Sequence, residues 1–202
     1  MEAWLATVAE QAQAYAPLEL VAVVMALAYL VLAIRQIIWC WLCAGISTAI
    51  YVWLFTGAKL YMEALLNGFY FFMAIYGWYV WTSGSSDGHD RPVVRWPLHS
   101  HAIAITTIVV VSAGNGYLLG KFSDAAFPYI DSFTTWSAIW ATFLVARKVL
   151  ENWWYWLVID SVSVIIYWAR DLQLTSLLFV AYVIMIPFGI VGWTRSYREQ
   201  AA

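Results

Sequence analysis

Apolar runs of about 20 residues follow one another along nearly the whole of this chain, with little polar sequence between them. A helix rises 1.5 Å per residue, so such a run covers a hydrocarbon core about 30 Å thick. Only 11% of the residues are charged, against about a quarter in a water-soluble domain. The runs therefore predict an all-α integral membrane protein of seven transmembrane helices, at about 17–35, 37–56, 61–82, 100–119, 131–149, 152–169 and 173–194. Residues 1–16, with Glu2 and Glu10 among alanines, predict a helical segment lying at the interface. No basic n-region precedes the first span, which is expected to stay in the mature protein. The longest polar connection, Thr82 to His99, holds Gly84, Ser85, Ser86, Asp87, Gly88 and Pro92, and predicts a solvated loop over 83–99.

The net charge of −2 leaves no basic stripe to neutralise phosphates, so nucleic acid is excluded as a partner. Cys40 and Cys43 lie in an apolar run with no histidine near them and are expected to pack. His89, His99 and His101 cluster in and just after the polar loop. His99 and His101 lack an obvious third ligand, so neither metal nor cofactor is expected. Positively charged loops resist translocation. With the N-terminus outside, the inner side holds Arg35, Arg91, Arg95, Arg147, Lys148, Arg195 and Arg198, and the outer side only Lys59, Lys121 and Arg170. This predicts a multi-pass protein of a bacterial inner membrane, with residues 195–202 as a cytoplasmic tail.

The tryptophans suggest a repeat. Trp39 and Trp154 are 115 residues apart, and the same offset joins Trp41 to Trp156, Ile50 to Ile165, Trp53 to Trp168, Gly77 to Gly192 and Trp78 to Trp193. An offset spanning four helices, an even number, returns the copy in the same orientation. It predicts a first three-helix bundle over 17–82, a linker helix over 100–119 and a second, parallel three-helix bundle over 131–194. Transporters of this plan bind substrate near mid-membrane between the halves.

An ionisable group inside a span is expensive unless it faces the bundle interior, which makes each one a functional candidate. Asp160 lies midway along the sixth span. Trp153, Trp156, Asp160, Ser163 and Tyr167 recur at three and four residues, so an acid, a hydroxyl and aromatics share one face. That face reads either as the lining of a polar cavity or as a carboxyl bonded to a neighbouring helix to hold the bundle together. On the third span Glu63, Asn67, Tyr70 and Gly77 fall close to one face. Asn67, an amide that donates and accepts, suits a pyrimidine or carboxamide edge or a helix-to-helix bond, and Glu63 stands near the outer end. On the fifth span Asp131, Thr135, Ala138 and Thr142 share a face beside Trp136 and Trp140. Ser47 and Tyr51 offer polar groups from the second span. Acids among aromatic faces point to a flat cation. No ATP-binding signature or proton relay interrupts the helices, which leaves a facilitator as the economical expectation.

Several of these residues resemble the PnuC-type vitamin transporters, which include nicotinamide riboside carriers and a thiamine branch, PnuT. The matching residues are Lys59-Leu60-Tyr61, Asn67, Tyr70, Tyr76-Gly77-Trp78, Asp131-Ser132, Arg147-Lys148 and Glu151-Asn152-Trp153 with Trp156. The resemblance implies a seven-helix carrier of two parallel triple-helix bundles, similar in plan to SWEET proteins, assembled as a homotrimer. It also implies facilitated uptake of an unphosphorylated vitamin that a cytoplasmic kinase then traps. With the faces above, it gives a candidate substrate site of Ser47, Tyr51, Asn67, Tyr70, Trp136, Trp140, Asn152, Trp153, Trp156, Asp160 and Ser163. Two positions depart from the nicotinamide riboside carriers: Ser47 stands where Gln or Asn is usual, and Asp160 where Asn is usual. Both changes suit a permanent cation with a stacking ring, and the expected substrate is thiamine, with nicotinamide riboside as the alternative. An integral membrane enzyme is the rival from another class. It would need partners for Glu63, Asp131 and Asp160, and no in-span histidine or metal motif supplies them.

Overall fold

The computed structural model describes residues 2–57, 61–83, 91–123, 127–169 and 173–200. His89, Lys59, Leu60 and Arg170 lie outside the described residues. Seven helices follow one another: α1 (Glu2–Ile34), α2 (Trp39–Gly57), α3 (Tyr61–Ser83), α4 (Leu98–Phe122), α5 (Pro128–Ala146), α6 (Asn152–Ala169) and α7 (Gln173–Gln200). Among the described residues, four stretches are long and apolar enough to cross a membrane: Pro17–Ile34, Trp39–Gly57, Leu98–Phe122 and Ser176–Gln200. Helices α3, α5 and α6 are long enough but less apolar. They carry the amides, hydroxyls and acids singled out above, from Asn67 on α3 to Asp131 and Thr142 on α5 and Asp160 and Ser163 on α6.

Three boundaries differ from expectation. Residues 2–16 are not a separate element, because α1 runs unbroken through Pro17. The expected tail from 195 is helical as far as Gln200. The second part of the expected solvated loop is structured. Val94 pairs with Val149 in an isolated parallel bridge, its N–H donating to Lys148 O (3.0 Å) and its carbonyl accepting from Leu150 N (2.9 Å). Val93, 3% exposed, supplies the apolar reason for this strap to lie down. His101, just past that loop, falls inside the fourth span as expected. It sits in the first turn of α4, 7% exposed, with Nδ1 3.0 Å from the Tyr155 hydroxyl. Cys40 is buried and Cys43 half-buried, and neither is in a disulfide among the described residues.

The chain divides into two compact units, residues 1–90 and 91–202. In the first, α2 packs against both α1 and α3. In the second, α5 packs against α4 and α6, and α6 against α7, so α4 belongs to the second unit. A small-residue face of α4 meets α5, where Asn115 Nδ2 donates to Ser132 Oγ (3.1 Å) and Ser112 Oγ to Ser132 O (3.3 Å).

The two units repeat each other's local geometry, but at an offset of 112 residues rather than 115. Gln36 and Lys148, 112 apart, are the two non-glycine residues with positive φ (57° and 54°) among those described. Around them the same backbone bonds recur: Arg35 N to Val31 O and Arg147 N to Phe143 O, Gln36 N to Ala33 O and Lys148 N to Val145 O, Ile37 N to Leu32 O and Val149 N to Leu144 O. The side chains agree. Trp41 meets Trp81 edge-on at 5.5 Å and 87°, and Trp153 meets Trp193 at 5.6 Å and 89°. Trp41 lies so close over Gly77, and Trp153 over Gly189, that a Cβ at either glycine would overlap the indole. Each unit is thus closed by a tryptophan wedged into a glycine notch of its last helix. The 115-residue register pairs Trp41 with Trp156 and Gly77 with Gly192, which do not occupy these places.

Candidate substrate site

Helix α6 holds the clearest polar feature. Trp153 and Tyr167 are each seven residues from Asp160, two turns along the same stripe. Trp153 packs on Gly189 and Trp193 of α7, and Tyr167 stacks on Phe179 of α7 at 5.2 Å and 15°. Asp160 lies between these two contacts, 5% exposed, with Ser163 a turn further on at 6%. Among the described residues the Asp160 carboxyl has no hydrogen-bond or ion-pair partner. A carboxyl that glues helices needs a partner across the interface. One that lines a polar cavity does not, so the geometry favours cavity lining over helix-to-helix glue for this face.

The remaining candidates divide by what already occupies them. Trp153, 2% exposed, is spent on the α7 notch. Asn152 is fully buried at the start of α6. Its Nδ2 donates to Val149 O (2.7 Å), while Oδ1 has no partner among the described residues. Trp140 packs against Trp96 (5.9 Å) and Phe143 (5.6 Å), turning its ring toward the strap. Trp156 is half-buried and Trp136 exposed.

In the first unit Ser47 is buried and its Oγ donates to Ala22 O (2.8 Å), tying α2 to α1. Tyr51 stacks on Phe55 at 5.4 Å and 16°, a pair formed within α2. Asn67 donates to Glu63 O (2.9 Å) in its own helix, and Tyr70 meets Phe69 edge-on at 5.7 Å. Among the described residues no group of three or more histidines, cysteines or acids could hold a metal ion.

Sequence reasoning missed the cluster around Glu151. Its Oε1 accepts from Arg95 Nε (2.8 Å), its Oε2 accepts from Trp96 N (3.3 Å), and His101 Nε2 stands 3.8 Å from Oε2. The Glu151 carboxylate holds the Arg95 guanidinium above its ordinary pKa. The available signal was the acid following Arg147-Lys148, but the partners come from a segment that its composition assigned to solvent. The second unit also gathers most of its described basic residues at one end, Lys121 in the last turn of α4 apart. The strap carries Arg91 and Arg95 and pairs beside Lys148, and Val93 N donates to Gln200 Oε1 (3.0 Å) at the end of α7, close in sequence to Arg195 and Arg198.

Comparison with known proteins bears on what this arrangement serves. A family model described as nicotinamide mononucleotide transporter matches residues 16–195. The nicotinamide riboside transporter PnuC of Escherichia coli (strain K12) is 24% identical over 182 residues, covering 78% of this chain and 76% of its own length. The riboflavin/roseoflavin transporter RibM of Streptomyces davaonensis is 25% identical over 187 residues, covering 90% of this chain and 86% of its own. Among solved structures, the crystal structure of the vitamin B3 transporter PnuC matches with a TM-score of 0.71 at 21% identity, covering 96% of this chain and 90% of that one. That likeness establishes the fold.

Proposed function

This chain belongs to the nicotinamide mononucleotide transporter family, and we propose that within it the protein carries nicotinamide riboside. At the coarser level it is a multi-pass membrane transporter of a vitamin-type substrate. The observation that carries the finer reading is Asp160, a buried carboxyl without a partner among the described residues, on a helix rich in aromatic rings. Desolvating a carboxylate is unfavourable unless a charge compensates it. The pyridinium of nicotinamide riboside is a fixed cation and a flat ring, suited to such an acid and to stacking on aromatic faces.

The expectation of thiamine finds no support among the relatives, whose names carry nicotinamide riboside and riboflavin. Thiamine stays as the second ligand to test, since its thiazolium is also a fixed cation. The uncharged ring of riboflavin gains nothing from Asp160. Trp156, Asp160 and Ser163 on α6, with Asn152 at its start, are the proposed contacts of the second unit, and Tyr51, Asn67 and Tyr70 stay the candidates of the first unit taken by itself. Ser47, Trp136, Trp140 and Trp153 are assigned supporting roles.

All seven helices are proposed to span. At 1.5 Å per residue even the 18 residues of α6 reach about 27 Å. The basic end of the second unit supports an orientation with the C-terminus cytoplasmic. Facilitated uptake by a homotrimer, with trapping by a cytoplasmic vitamin kinase, completes the proposal. Uptake of labelled nicotinamide riboside by proteoliposomes tests it: saturable uptake is expected, and uptake no faster than into protein-free liposomes overturns it.

A further inference from the structure

The strap, residues 91–97, carries the chain into α4, and a single carboxylate ties the end of it that enters that helix. Both oxygens of Glu151 serve it, one accepting from the Arg95 side chain and the other from the Trp96 amide. His101 approaches the second oxygen from α4, and its other nitrogen reaches Tyr155 on α6. Trp96 lays its ring on Trp140 and Phe143 near the end of α5. Glu151 therefore links the strap to α4 and the α5–α6 turn, and through His101 to α6.

The hub is sheltered and its main partner is not: the Glu151 side chain is 15% exposed and that of Arg95 59%. An ion pair with one half in solvent holds weakly. The backbone adds only the two bonds of the Val94 bridge and the bond from Val93 N to Gln200. Losing both Glu151 ties leaves the strap on those backbone bonds and the Trp96 ring contacts. At the matching place in the first unit stands Trp39, which packs edge-on against Trp78 (5.5 Å). Among the described residues that turn carries no paired strand. The clasp has thus been added to one of two otherwise matching turns, on the segment that joins the units along the chain.

We propose that Glu151 is the latch of a clasp that opens and closes during transport, freeing the strap when it opens. The test compares the full-length wild type with Glu151→Gln, which keeps the size and one acceptor but removes the charge, and with Arg95→Gln, whose exposed site leaves the packing untouched. Hydrogen exchange of the strap amides Val94 and Trp96 is read in lipid nanodiscs without ligand. Uptake and binding of nicotinamide riboside are read in parallel. Both variants are expected to speed strap exchange about tenfold or more while the middle of α6 exchanges as in wild type. They are also expected to change the uptake rate about threefold or more at unchanged affinity. Equal strap exchange in all three proteins overturns the proposal, and so does faster exchange with unaltered uptake, which reduces the clasp to a static tie. The uptake arm rests on the proposed substrate, whose failure would show in the wild type alone, whereas the exchange arm needs no ligand.

Discussion

The turn before α2 and the turn before α6 have the same backbone and different neighbours. Each places a long polar residue, Gln36 or Lys148, in the left-handed region and closes it with the same set of bonds. Each is followed by a tryptophan seated in a glycine notch. Among the described residues, only the second receives a strap, and only the second leads into a helix with a buried acid. At the 112-residue offset Asp160 corresponds to Thr48, whose hydroxyl donates to Ala44 O of its own helix (2.8 Å). The repeated parts are packing devices, and the parts that differ carry charge. Duplication supplied a frame, and the charged additions distinguish one half from the other.

If the frame is shared, equivalent changes should have equivalent consequences. The largest effect is expected for Trp41→Ala and Trp153→Ala. Each empties a notch and leaves its edge-on partner without a ring, at about 3–5 kcal/mol of stability. Unfolding of the purified protein in detergent should rank the two within about 1 kcal/mol of each other. A large loss at one and a small loss at the other would break the equivalence. Gly77→Ala and Gly189→Ala come next, at about 1–3 kcal/mol each, because the added methyl meets an indole that has nowhere to move. A thermal-shift measurement that finds either one neutral would move the notch elsewhere.

Where the halves differ, the changes should be unequal. Asp160→Asn is expected to weaken binding of nicotinamide riboside by about 1–3 kcal/mol with the fold intact. Thr48→Ala, at the matching position, should shift affinity by less than about 0.5 kcal/mol, because its hydroxyl is already used by its own helix. Isothermal titration of both variants sharpens the comparison, and equal losses would mean that the acid is not special. The smallest effect is expected at Gln36→Gly, where glycine relieves the left-handed conformation but adds freedom to the unfolded chain, and the sum should stay within about 1 kcal/mol of zero. Lys148→Gly removes a side chain that is 3% exposed and should cost more.

Much of this frame was readable in the amino-acid order, because a membrane imposes long apolar runs that nothing else explains. All seven helices lie where the runs place them, and Asp160 stood out as a polar residue on an apolar stripe. The register of the repeat was not readable. With 14 tryptophans in the chain, chance pairs arise at several offsets, and only the contact of Trp153 with Gly189 shows which ring fills which notch. The same gap explains why Trp153 looked like a ligand contact: a tryptophan beside polar residues gives no sign that its partner is a glycine on the next helix. The strap was hidden by composition. Pro92, Pro97 and two arginines suggest a solvated loop, and the two valines that seat the strap carry too weak a signal to oppose them. Nor does order reveal that Ser47 bonds back to Ala22, since a carbonyl on another helix leaves no trace in the sequence.

The central claim is that Asp160 receives the charge of a cationic vitamin. Titrating wild type and Asp160→Asn with nicotinamide riboside, followed by tryptophan fluorescence, tests it most directly. The account predicts saturable quenching in wild type, competed by thiamine if at all only at higher concentration, with the midpoint displaced about five-fold or more in the variant. Identical midpoints in a folded variant, or saturation by riboflavin and not by the riboside, would contradict it.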